Sequence, residues 1–138
     1  MRPVKTTTLK QAKLLAQQAA AGIKGGEIFA LVGPLGSGKT TFVKAAGRQL
    51  KVKDKMASPS FSLLHRFVAR LPKTPAKNRG KKIFLYHLDL YRTKNFSESK
   101  ALGLLEFWGK PNTVTFIEWA NKIKKHLPKK TQIIKFKN

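Results

Sequence analysis

Apolar positions along this chain switch between a helical rhythm and short unbroken runs. Leu9, Ala12, Leu15, Ala16 and Ala19 fall on one helical face. Thr8 with Gln11 three residues later reads as a capping box for that helix, and Gly22 as its stop. Residues 28–32, IFALV, form a continuous apolar run suited to a strand buried on both faces. TFVKAAGRQL, residues 41–50, reads as a helix. SPSFSLLHRF (58–67) reads as a loop entering a strand, and KIFLYHLDLYR (82–92) as a second strand. Between them a basic insertion, residues 69–82, carries two prolines and reads as a hairpin loop. FSESKALGLLEFW (96–108) starts as a helix with Asn95 or Ser97 as cap. TVTFIEWA (113–120) is a buried strand that ends in an acid, and TQIIKFK (131–137) is a last strand. Strands alternating with helices predict one α/β domain over residues 1–138, with three layers and a mostly parallel central sheet carrying an antiparallel hairpin.

Between the first buried strand and the next helix lies GPLGSGKT, residues 33–40. This is the spacing of a P-loop, in the strand–loop–helix context that the motif requires. Its glycines let successive N–H groups turn inward around an anion, and the helix that follows adds the positive end of its dipole. The chain from Gly33 through Leu35, Gly36, Ser37, Gly38, Lys39 and Thr40 to Thr41 is therefore expected to hold nucleotide phosphates. Lys39 would supply a full charge to the β- and γ-phosphates, and the Thr40 hydroxyl a ligand for Mg²⁺. The fold expected is that of a P-loop NTPase, with ATP and Mg²⁺ as ligands.

Charge sharpens this picture. Twenty-nine Lys and Arg stand against six Asp and Glu, giving +23. Such a field attracts phosphate-rich partners, RNA first, although a general coat of lysine produces the same number. The scarcity of acids is more telling, because two of the six end apolar strands: Asp89 and Glu118. In α/β sheets ligands gather at those strand ends, so both are candidates to serve the metal or the attacking water. Ser58 and Ser60, about 20 residues beyond the loop, sit where nucleotide-sensing segments occur. Arg92 could stabilise charge on a transferred phosphoryl group or pair with a surface acid. Trp108 and Trp119 could stack on a base or pack in the core. The histidines lack metal-ligand spacing and there is no cysteine, so thiolate sites and disulfides are excluded. No run is apolar enough to span a bilayer, and a cytoplasmic protein is expected.

GPLGSGKTTF, SPSFSLL, YHLDLYR, GLLEFW and FIEWAN occur together, in order, over nearly the whole chain. In this the chain resembles the TsaE (YjeE) family of bacterial ATPases in tRNA threonylcarbamoyladenosine biosynthesis. The resemblance implies ATP and Mg²⁺ binding, weak hydrolysis alone, and work with TsaD and TsaB on adenosine 37 of tRNA, with tRNA met through that complex. It assigns Thr40 and Glu118 to Mg²⁺, Lys39 and the loop backbone to phosphate, Asp89 to activity, and residues 58–60, Ser60 included, to a catalytic switch-like segment. Pro34 replaces the family's usual acid and Ser60 its usual threonine. The sequence stops at Asn138, where relatives commonly continue into strands bearing an arginine near the nucleotide, so weaker ATP binding or a substitute contact is expected. Two other classes compete: a non-catalytic, nucleotide-sensing RNA-binding module, and a small-molecule kinase, which would need an arginine-rich lid that is not evident here.

Overall fold

The computed structural model describes residues 4–56, 64–72, 80–100 and 103–137. Strand β1 (Val4–Thr6) leads into helix α1 (Leu9–Ala21), strand β2 (Ile28–Val32) and helix α2 (Lys39–Gln49). Strands β3 (Leu64–Arg70) and β4 (Lys82–Asp89) follow, then short helices α3 (Phe96–Lys100) and α4 (Leu104–Phe107). Strand β5 (Thr113–Glu118), a 3₁₀ segment (Ala120–His126) and strand β6 (Gln132–Phe136) complete the order.

The six strands form one sheet in the order β1-β6-β2-β5-β4-β3. Every neighbouring pair is parallel except the antiparallel β3–β4 hairpin. The predicted mixed sheet is thus present. β2 and β5 lie at its centre with their side chains buried on both faces, which is why both read as unbroken apolar runs rather than alternating ones.

Alternation along these strands divides two cores. Phe29, Leu31, Leu85, Val114 and Phe116 face the layer of α1 and α2. Ile28, Ala30, Leu88 and Ile117 face α3, α4 and the 3₁₀ segment. The first core is centred on stacked Phe29 and Phe116 rings, 5.0 Å apart, with Phe42 from α2 at their edge. Helix α1 buries Ala12, Ala16 and Ala20, small side chains that allow its close approach to α2. Its expected cap is present, the Thr8 hydroxyl accepting from the Gln11 N–H at 3.0 Å. The Gln11 side chain reaches back one residue farther than in a capping box, accepting from the Thr7 N–H at 2.9 Å and the Thr7 hydroxyl at 2.8 Å.

Two expectations are corrected. The basic insertion is narrower than residues 69–82: Ala69 and Arg70 belong to β3 and pair with Ile83 and Lys82 of β4. Leu71 N–H donates onward to Lys81 O at 2.8 Å, and Leu71 is buried. Apolar Ala69 and Leu71 point inward there, and burial outweighs the charge around them. β1 was not expected, since three residues flanked by polar ones carry no period. Among the described residues no helix is long and apolar enough to cross a membrane.

Because Phe116 joins sheet to helix two residues before Glu118, Phe116→Ala should remove about 3–5 kcal/mol of stability, as large aromatic-to-alanine core changes do. Chemical denaturation followed by circular dichroism checks this.

Candidate functional site

The loop from residue 33 to 38 connects the end of central strand β2 to the start of α2. Gly38, the residue before the helix, has φ +109, a left-handed conformation, and no side chain among the described residues caps the helix. The first-turn N–H groups of α2 therefore lack intrahelical acceptors, as helix starts do, and their positive end points out of the sheet. The loop is pressed from behind: a Cβ on Gly33 would lie 2.6 Å from Phe136 O of β6. Leu35, at the loop's apex, is 73% exposed, whereas Ser37 is buried with an Oγ lacking a partner among the described residues.

Lys39 is 4% exposed, and its ammonium group turns back to donate to Gly33 O at 2.5 Å and Pro34 O at 2.8 Å. The same group lies 4.1 Å from the centroid of the Trp119 ring. Burial lowers the Lys39 pKa from its ordinary value, and the nearby Glu118 and Asp89 charges oppose that shift.

Parallel pairing of β4 with β5 puts Asp89 opposite Glu118. Pairing of β2 with β5 sets Leu31 opposite Glu118, so the acid emerges beside the loop. The Thr40 hydroxyl contacts both Glu118 oxygens, at 2.9 and 3.0 Å. A hydroxyl and a carboxylate so placed could hold a hard divalent cation. Among the described residues no group of three His, Cys, Asp or Glu could hold a metal ion alone.

Asp89 accepts from the Tyr91 N–H at 3.0 Å. Burial raises its pKa above the ordinary 3.8; the Tyr91 hydrogen bond works against that, and neighbouring Glu118 adds to it.

The structure brings Lys39, Thr40, Asp89 and Glu118 together at one end of the sheet. Ser60, with the rest of 58–60, lies outside the described residues. Arg92 sits on an exposed turn. Trp119 is neither simple core nor free platform. Its backbone is left-handed, φ 59, ψ 36, a conformation that for a bulky residue costs about 1–3 kcal/mol, and it aims the indole beneath Lys39 and beside Tyr91, ring centroids 5.0 Å apart. Trp108 packs instead near Phe96, ring centroids 6.5 Å apart. One site residue escaped the sequence reading. His87, 1% exposed, brings its Nε2 to 2.5 Å from Glu118 Oε2. Its signal was available: a histidine at the inward position of an apolar strand, two residues before Asp89.

The family model for threonylcarbamoyl adenosine biosynthesis protein TsaE matches residues 6–138. The chain belongs to the TsaE family. A Bacillus subtilis relative named tRNA threonylcarbamoyladenosine biosynthesis protein TsaE is 34% identical over 124 residues, 90% of this chain and 70% of the relative. An Aquifex aeolicus protein of the same name is 42% identical over 91 residues, 64% of this chain and 60% of that protein. A crystal structure of Bacillus subtilis YdiB superposes with a TM-score of 0.68 at 30% identity, covering 96% of this chain and 73% of YdiB. The residues that the resemblance to TsaE singles out on α2, β4 and β5 are those that converge here.

A carboxyl whose pKa is raised by folding subtracts stability as pH climbs from its unfolded toward its folded value, and the loss persists above both. Asp89→Asn should therefore melt at a higher temperature than the parent at neutral pH, with the gap closing as pH falls toward 3.8. Thermal melts across that range measure it.

Proposed function

We propose that the chain binds ATP with Mg²⁺ at this loop and hydrolyses it, as the ATPase component of bacterial tRNA threonylcarbamoyladenosine synthesis. The observation that carries this reading is the meeting of the Thr40 hydroxyl with Glu118, at 2.9 and 3.0 Å, at the mouth of the P-loop. Mg²⁺, when bound, would offset charge on the phosphate oxygens.

The chain's own groups divide the remaining work. The uncapped start of α2 receives phosphate oxygens through main-chain N–H groups. Lys39 exchanges the carbonyls of Gly33 and Pro34 for phosphate oxygens, swapping two neutral acceptors for charged ones. Asp89, at the end of the neighbouring strand, would orient the attacking water or support the metal-holding pair. Hydrolysis breaks the bond from the γ-phosphorus to the β–γ bridging oxygen and forms one to the water oxygen, giving ADP, inorganic phosphate and a proton. Positioning and charge stabilisation carry most of such a reaction.

Partners resembling TsaD and TsaB would complete the assembly in the cytoplasm, and the +23 charge favours contact with tRNA within it. The same charge favours a second reading, an RNA-binding module whose loop only senses nucleotide.

Phosphate release from ATP separates the two. Lys39→Ala and Asp89→Ala should each lower the rate by about 10²–10³, the typical cost of one transition-state contact, and the two partner proteins should raise the parent's rate. An undiminished rate in Lys39→Ala would refute the site assignment. Salt-sensitive tRNA binding by an inactive parent chain would favour the sensing module.

A further inference from the structure

We propose that His87 is a positioning residue of this site: its Nε2–H fixes the Glu118 carboxylate in the orientation that meets Thr40. This rests on the reading of Thr40 and Glu118 as the cation-holding pair.

Three observations support it. On β4, Ile83, Leu85 and His87 point into the core under α1 and α2, where the first two are fully buried apolar residues. An imidazole at the third place gains nothing by packing that a leucine would not, and it brings two polar nitrogens out of water. Second, among the described residues its only hydrogen bond is to Glu118 Oε2, at 2.5 Å, while Nδ1 is buried and unpartnered. The side chain's polar chemistry is thus directed at one carboxylate oxygen. Third, that oxygen belongs to the carboxylate that Thr40 Oγ1 contacts at 2.9 and 3.0 Å. An ionised carboxylate only accepts, so Nε2 must carry the hydrogen. Pinned by His87 from below and met by Thr40 from the side, Glu118 is held in one orientation. Outer-shell donors of this kind orient metal-ligating groups, and their loss typically lowers metal affinity about 10–100-fold.

The test uses the full chain and two variants. His87→Phe keeps an aromatic ring and removes the donor. His87→Gln keeps an N–H at similar reach. ATP binding is followed by calorimetry while Mg²⁺ is titrated, and again in EDTA. We expect His87→Phe to raise the Mg²⁺ concentration for half-maximal binding about 10–100-fold, with metal-free ATP binding little changed, and His87→Gln to recover most of the loss. A merely structural role would weaken both conditions alike, and that result, or an unchanged Mg²⁺ requirement in folded His87→Phe, overturns the proposal. If the parent binds ATP with no dependence on Mg²⁺, the cation-holding pair itself is refuted and the proposal with it. Independently of any variant's folding, long-range ¹H–¹⁵N spectra of the ligand-free parent should find Nε2 protonated; a bare Nε2 overturns the assignment.

Discussion

Everything at the candidate site depends on one contact made across 78 residues of sequence, the Thr40 hydroxyl on the Glu118 carboxylate. Neither residue could find the other through local structure. Parallel pairing of β2 with β5 brings the end of one strand level with the end of the other, and the loop after β2 then starts its helix next to the acid that closes β5. A one-residue slip in that register would turn Glu118 to the opposite face of the sheet, away from Thr40. The stacked Phe29 and Phe116 rings lie on the same face as the acid and lock that register, so core packing and site geometry are one constraint.

The cluster at the sheet's end is also where this chain's charges behave differently from the rest. Most of the basic side chains among the described residues are exposed to water. Lys39, Asp89 and Glu118 are much less so. Burial pushes Lys39 toward neutrality and Asp89 toward protonation, each opposed in part by a neighbour. The Lys39 ammonium group is accommodated by loop carbonyls and an indole face rather than by a paired acid. Neutral acceptors of this kind are readily exchanged for charged oxygens.

Much of this was legible in the sequence, for reasons that can be named. β2, α2 and β5 carry strong local signals: an apolar run, a glycine loop and a second apolar run that ends in a rare acid. Asp89 and Glu118 stood out because the chain has so few carboxylates. What was hidden depends on tertiary neighbours. β1 exists only because β6 offers it an edge. The hairpin runs farther than its charged composition suggests because Ala69 and Leu71 are buried. The Gln11 side chain accepts from the Thr7 N–H rather than from that of Thr8, a choice between adjacent N–H groups that spacing does not make. His87 looked like one more strand residue, since its role depends on a carboxylate 31 positions later. Trp119 takes a left-handed backbone that no propensity assigns to tryptophan.

The order of the sheet has a consequence for the protein's behaviour in a crowded solution. Its two margins are β1 and β3, and an unsatisfied strand margin invites another polypeptide to pair with it. Here β1 displays Lys5, while β3 displays Arg66 and Arg70, all exposed. Two copies approaching margin to margin bring like charges together before any main-chain bonds can form. The cationic character of the chain thus opposes extension of the sheet by its own kind.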